Sequence, residues 1–453
     1  MLGVVDVLLE MFSFTFLVRA FVVGMLVSLC ASLLGLSLVM KRYSMIGDGL
    51  SHVGFGALAI ATAMNAAPLT VAIPVVIAAA LLLLRVSENS KIKGDAAIAL
   101  ISTSSLAIGV VIISMTTGMN TDVCNYLFGS ILAMNKNDVY LSIALSITVL
   151  VLFIFFYHKI FAITFDESFA KAGGTKTGMY NMLIALLTAL TIVLGMRMMG
   201  AMLISSLIIF PALTSMRIFK TFRSVTICSA LVATTCFFIG IVISYLYATP
   251  AGASVVMMNI FAFLLFWAIS AISRRNVRRE GTLKKAALVS IAVIMLFAGC
   301  NNNSNTPVTA APAPAAKSAE EAFSLAPADL EIREKMFIAQ VNDIYLNSED
   351  YLGKTIRLEG LFKYAQADDR AYCFVIRNGP GCCGDDGQVG FEVSWTVPGQ
   401  PSVGVTRAYP RVDDWVVAQG VLKEYDEFGF PFLYLALSDL KVLDERGEAF
   451  VAQ

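Results

Sequence analysis

The chain has 453 residues, 57% of them hydrophobic and only 15% charged, with a mean hydropathy of +0.75. Soluble chains average about 45–50% apolar and about 25% charged residues, which excludes an ordinary water-soluble enzyme. The 33 basic and 33 acidic groups cancel, so no basic excess points to nucleic acid.

The charges are unevenly placed. Residues 1–273 carry 14 Lys/Arg and 9 Asp/Glu, whereas residues 274–453 carry 19 and 24. The first part reads as membrane-embedded and the second as water-soluble. Within the first, the runs 49–84, 96–121, 177–196, 198–216 and 224–273 contain no charged residue. A hydrocarbon core of ~30 Å takes about 20 residues of helix, so the longest runs each hold two spans. Pro68 divides one and the Ala248-Thr249-Pro250-Ala251-Gly252 turn divides the other. The prediction is an all-α polytopic bundle of nine helices, near 13–39, 46–65, 69–86, 95–117, 138–157, 178–196, 200–217, 224–247 and 253–272.

Loop charge sets the orientation. One set of connections holds 17 Lys/Arg, from Lys41 and Arg42 through Lys171 and Lys176 to Lys284 and Lys285, and the opposite set holds Lys136 and Arg197. That asymmetry places the N-terminus outside and the Arg274–Lys285 stretch in the cytoplasm.

Chemistry enters at the start of the second helix, in Gly47-Asp48-Gly49-Leu50-Ser51-His52. Asp48 and His52 are four apart and share a helix face. A carboxylate inside a span costs ~2.5–3.5 kcal/mol on insertion scales, so it needs a partner or a function. Carboxylate with imidazole suits a borderline divalent ion such as Zn²⁺ or Mn²⁺. The plainer alternative is that Asp48 caps the helix and His52 packs.

The stretch Lys41-Arg42-Tyr43-Ser44-Met45-Ile46-Gly47-Asp48-Gly49-Leu50-Ser51-His52 resembles the signature of the zinc/manganese-uptake ABC transporter permeases. Gly195-Met196-Arg197, Gly200 and the run up to Pro211 are similar to that family's late Gly- and Pro-marked helix. Asp166-Glu167-Ser168-Phe169-Ala170-Lys171-Ala172-Gly173 resembles its cytoplasmic coupling loop. The resemblance covers residues 12–272. It implies a transport subunit of the bacterial inner membrane without enzymatic activity or a resident cofactor, carrying zinc, manganese or iron. It also implies a separate cytoplasmic ATPase, an extracytoplasmic metal-binding protein and a permease homodimer as partners. Without the family, residues 158–177 also read as a solvated loop. A short helix from Asp166 to Ala172, stopped by Gly173-Gly174, would instead suit a groove on a soluble partner. No Walker-type phosphate loop occurs in the chain, so nucleotide binding falls to another subunit.

Other membrane features read as packing. Met196, Met198, Met199 and Met202 fit apolar gap-filling, and Gly24, Gly35, Gly54, Gly56 and Gly109 fit close helix contacts.

The basic Arg274–Lys285 stretch precedes an apolar run and Leu296-Phe297-Ala298-Gly299-Cys300. This is the shape of a secretory signal with a lipobox, in which Cys300 would be lipidated. Residues 286–299 are short for a tenth span. Residues 301–330 form an Ala/Pro/Asn-rich tether with too little apolar content to fold. The chain therefore reads as a permease joined to an extracytoplasmic lipoprotein domain.

Residues 331–453 show a leading helix (331–346) and five alternating strands, at 355–364, 372–377, 389–395, 414–422 and 432–440. They predict a small all-β barrel of oligonucleotide/oligosaccharide-binding (OB) type. Residues 301–453 carry 13 basic and 23 acidic groups, which again disfavours nucleic acid. The dense spot is Cys373 with Cys382, Cys383, Asp385 and Asp386. These residues suit either a thiophilic metal or a disulfide from Cys373 to one of the adjacent pair. Rival readings for the whole chain are an ion-coupled secondary carrier and a membrane anchor that displays the β domain.

Overall fold

The computed structural model describes residues 4–64, 66, 68–89, 94–116, 135–247, 249–276, 327–367, 370–379, 387–396, 409–427 and 430–451. Cys300, Cys382, Cys383, Asp385 and Asp386, with most of the tether, lie outside them.

The first short helix, α1 (Val4–Ser13), was not expected from the apolar runs. Phe14 adopts extended backbone angles (φ −83°, ψ 117°) and separates it from α2 (Thr15–Met40). At about 1.5 Å per residue, the 26 residues of α2 extend about 39 Å, enough to cross a bilayer. There follow α3 (Ile46–Ala63), α4 (Pro68–Asn89), α5 (Gly94–Thr116), α6 (Lys136–Phe155), α7 (Tyr157–Phe165) and α8 (Glu167–Ala172). The last four helices of the bundle are α9 (Thr177–Met199), α10 (Ala201–Met216), α11 (Phe222–Tyr247) and α12 (Ala251–Asn276).

By length and composition, seven of the described helices can cross a membrane: α2, α4, α5, α6, α9, α11 and α12. The expected nine included α3 and α10, which fall outside those limits for different reasons. Asp48, His52 and four glycines dilute the hydropathy of α3, and Gly200 cuts α10 down to 16 residues.

α2 forms the axis of the bundle, with α6, α9, α10 and α11 all packed on it. Its tightest crossing is at Gly35. A Cβ there would lie 2.0 Å from the carbonyl oxygen of Ile208 on α10, so the two backbones meet directly. α3 and α5 cross in the same way: a Cβ on Gly56 would fall 2.8 Å from the Ser105 oxygen, and one on Gly109 would fall 3.1 Å from the Gly56 Cα. Small residues at such crossings replace the hydrophobic drive that lipid cannot supply.

The C-terminal part begins with β1 (Leu330–Ile332) and a helix, α13 (Phe337–Leu346), where one continuous helix from 331 was expected. β1 pairs in parallel with Ile356–Leu358, and Met336 is left-handed (φ 63°), so the helix cannot start earlier. Then come β2 (Thr355–Ala367), β3 (Arg370–Gly379), β4 (Gly387–Ser394), β5 (Trp415–Glu427) and β6 (Phe430–Val442). The sheet order β2-β3-β4-β6-β5 closes through β2–β5 pairing into a five-stranded barrel, antiparallel except where β4 meets β6. Phe362, Val375, Phe391, Val416 and Leu435 fill its interior.

Arg377 anchors α13 to the barrel. Its guanidinium is 1% exposed, lies 5.0 Å from the Phe337 ring centroid and 4.9 Å from that of Trp415, and pairs with Glu334 at 3.2 Å. Its Nε–H donates to the Glu359 carbonyl at 2.8 Å.

Gly35→Ala is expected to push α2 off α10. Overpacking of this kind typically costs ~1–3 kcal/mol, so the detergent-solubilised protein should unfold at a lower temperature than the wild type. Gly178→Ala, where a Cβ meets nothing within 4 Å, should not shift the transition.

Candidate metal path and coupling site

The turn after α2 ends in Lys41 and in Arg42, which is left-handed (φ 62°). The chain then enters α3 with Asp48 in its first turn. His52 follows one turn later. Its Nε2 lies 3.7 Å from the Asp48 carboxylate, too long for a hydrogen bond but close enough for one ion to bridge. The Asp48 side chain is 44% exposed and that of His52 20%. The Nδ1 of His52 is buried without a hydrogen-bond partner. Ser51, between them, donates its hydroxyl to the Asp48 carbonyl at 2.7 Å rather than to the carboxylate. The N-cap position of α3 is Met45 and carries no side-chain cap hydrogen bond, so Asp48 does not cap the helix and shares one face with His52.

The wall behind the pair is closely fitted. A Cβ on Gly47 would meet Ile208 of α10, and one on Gly49 would meet Ile98 of α5. A Cβ on Gly54 would come within 2.6 Å of the Met196 Cε, so Met196 packs against α3 rather than facing the pair. Gly195 is held to glycine by Ile204, only 2.3 Å from its would-be Cβ. Gly200 is left-handed (φ 83°) and its N–H caps α9 on the Met196 carbonyl at 2.8 Å. Pro211 sits inside α10, where its ring removes one helix hydrogen bond. The side chain of Arg197 lies outside the described residues.

The expected coupling segment is a helix. Asp166 caps α8 by accepting the Phe169 N–H at 2.9 Å, and the helix stops at Gly173 and at left-handed Gly174 (φ 80°). Ala170 is buried, whereas Phe169 is 77% exposed. Glu167 belongs to a polar triad that the motifs did not disclose. Lys41 Nζ lies 3.3 Å from Glu167 and also donates to the Asn181 side-chain oxygen on α9. Asn181 Nδ2 donates to Glu167 at 2.8 Å. The end of α2 is thereby tied to α8 and α9 at the doorway to α3. A lysine in a basic pair gives no sign in sequence that its acceptor lies 126 positions away.

In the barrel, Cys373 is buried on β3, next in sequence to Phe374, which pairs with Glu392 of β4. Burial foremost, then the Glu392 charge, pushes its thiol up to about 11, against a hydrogen bond with Tyr409. Glu392 is itself raised by burial and by Glu427, while the Tyr425 hydroxyl donating at 2.8 Å opposes the shift. Among the described residues no three His, Cys, Asp or Glu side chains cluster as a metal site.

Comparison with known proteins places both parts of the chain. Residues 13–270 match the ABC 3 transport family, more than half the chain. The chain belongs to that family. It is therefore a membrane transport subunit and not an enzyme. Residues 311–451 match the DUF1980 C-terminal domain. The chain is 30% identical over 253 residues to the high-affinity zinc uptake system membrane protein ZnuB of Haemophilus influenzae, covering 56% of this chain and 97% of that one. It is 28% identical over 267 residues to the manganese import system permease protein ScaB of Streptococcus gordonii, covering 59% and 95%. Among solved structures, PsaBC from Streptococcus pneumoniae in complex with Fab aligns with a TM-score of 0.54 at 28% identity, covering 58% of this chain and 95% of that one.

Two outcomes follow from this geometry. In the full chain carrying Cys382→Ser and Cys383→Ser, Cys373 should resist iodoacetamide at pH 8 and react faster as the pH approaches 11, because only the thiolate attacks. Lys41→Met should impair metal uptake as Glu167→Gln does, and the double variant should be no worse than either single, as for groups acting through one contact.

Proposed function

We propose that the chain is the membrane-spanning subunit of an ATP-driven uptake transporter for a divalent metal, zinc or manganese, with iron as a further cargo. The observation that carries this is the Asp48/His52 pair on one face of α3, in a chain whose residues 13–270 belong to the ABC 3 transport family. Relatives named for zinc uptake and for manganese import support the choice of metals. The His52 Nε2, 3.7 Å from a half-exposed carboxylate, makes with it a donor set for a borderline ion, and the metal is cargo here, not a resident group.

One chain supplies two donors and tetrahedral zinc takes four. Two-fold pairing of permeases would bring two such faces together, which supports a homodimer. Nine spans remain the reading in that assembly, with α3 and α10 crossing as the short, glycine-marked pair that lines the path. A cytoplasmic ATPase would press on the exposed Phe169 of α8, and the Lys41–Glu167–Asn181 triad would carry its motion to the start of α3. An extracytoplasmic binding protein would deliver the ion.

The C-terminal domain is read as extracytoplasmic and of OB type, supported by its barrel order and its net negative charge. The lipobox-like Cys300 suits a segment that leads from the cytoplasmic end of α12 to the outside. The Cys373, Cys382, Cys383, Asp385 and Asp386 cluster stays open between thiophilic metal and disulfide.

His52→Ala and Asp48→Asn are expected to lower uptake of radioactive zinc or manganese by about tenfold or more, at least the scale on which losing even an outer partner of a metal ligand acts, at unchanged membrane abundance. Wild-type uptake by both variants would remove the pair from the path.

A further inference from the structure

The bundle has two polar faces, and α2 measures the distance between them. Lys41 at one end touches the coupling helix α8. Arg19 lies 22 residues earlier, about 33 Å along the axis. Leu36, Val39 and Met40 pack with Phe219 and Phe222, and the Ser270 hydroxyl donates to the Arg217 carbonyl. The end of α12 therefore lies on the coupling face. The β domain lies on the other. Met336 and Ala339 are buried in the same apolar cluster as Met11 and Phe16, and three cations make polar contacts across the seam. Arg19 pairs with Asp343 at 3.3 Å and Asp350 at 3.6 Å. Lys136, at the start of α6, pairs with Asp350, and its backbone N–H donates to Asn347 at 3.1 Å. Lys335 pairs with Glu10 at 3.7 Å and sits 3.8 Å above the Tyr245 ring of α11.

We infer that the β domain is a resident cap on the face opposite the coupling helix, held there by an ionic latch. In that latch Arg19 and Lys136 of the bundle grip Asp343 and Asp350 of the domain. The domain is not a passenger swinging freely on its tether. Asp343 marks the contact as built. Its side chain is 1% exposed, and Asn347 Nδ2 at 2.8 Å and the Tyr351 hydroxyl, both from its own domain, fix its orientation. A carboxylate this buried is costly unless a cation compensates it, and the cation comes from the bundle. Beside the apolar contacts of Met336 and Ala339, a cavity of about 340 Å³ lies between Phe14, Arg19, Gln340, Asp343 and Tyr351. A seam held by charge around a void is one that salt can loosen. Asn276, at the end of α12, and Leu330, at the start of β1, thus lie on opposite faces of the bundle.

The latch can be tested on the full chain in native membranes, and the readout is independent of transport. A water-soluble carbodiimide condenses the Glu10 carboxylate with the Lys335 amine into an amide, detected as a linked peptide by mass spectrometry. The wild type should give this product at monomer mass, with its yield falling in high salt. Lys136→Glu and Asp350→Lys should each cut the yield several-fold, and the double swap should restore it. No Glu10–Lys335 product in the wild type, or equal yields in all four proteins, would overturn the cap. A double swap no better than the singles would overturn the latch. Product found only at dimer mass would place the domain on a second copy and overturn the intrachain contact. Should His52→Ala transport normally while the product forms, the metal reading fails and the cap stands.

Discussion

Hydrocarbon tolerates almost no unpaired charge, and the 26 residues of α2 carry one cation near the start while the next lies just past its end. That constraint orders the rest of the protein. Arg19 and Lys41 are held on opposite faces by a helix that is otherwise apolar, and each has an acidic partner far away in the chain: Asp343 for Arg19, Glu167 for Lys41. The two faces thereby acquire separate polar networks with nothing charged to join them through the α2 core. Motion can pass between the faces only as rigid displacement of packed helices, which the backbone contact at Gly35 and Ile208 would transmit.

The site pair lies on a closely packed helix. Asp48 and His52 stand on a helix pressed by Ile98, Ile208 and Met196 at three glycines, so α3 has little room to tilt by itself. What it can do is follow α10 and the turn at Lys41–Met45. At that turn Lys41 contacts Glu167 of α8 and Asn181 of α9, and in the proposed mechanism this is where the ATPase would act on α3. A short polar contact between α2, α8 and α9 is a smaller switch than a repacked core, and it is made or broken at much lower cost.

The C-terminal barrel solves a different problem. Its core is ordinary, but Arg377, buried between two rings and an acid, fixes the β1–α13 segment against the barrel. α13 and the turn after it are therefore rigid enough to present Asp343, Asn347 and Asp350 as one surface.

Sequence alone determined whatever depends on period and solvent. Apolar runs near bilayer length marked the helices, loop cations marked the faces, and alternating residues such as Val416 and Ala418 marked the barrel strands, because burial imposes those patterns locally. The Asp48/His52 spacing and the short helix stopped at Gly173-Gly174 were legible for the same reason: both are made within a turn or two of helix. Only the tertiary structure decided what depends on distant partners. The break at Phe14, the start of α13 after a left-handed Met336, the Lys41–Glu167–Asn181 triad and the Arg19–Asp343 contact join residues up to 324 positions apart. A charged side chain has the same sequence signature whether it faces water or a partner. The pairing energy that distinguishes them exists only once the chain has brought the two together.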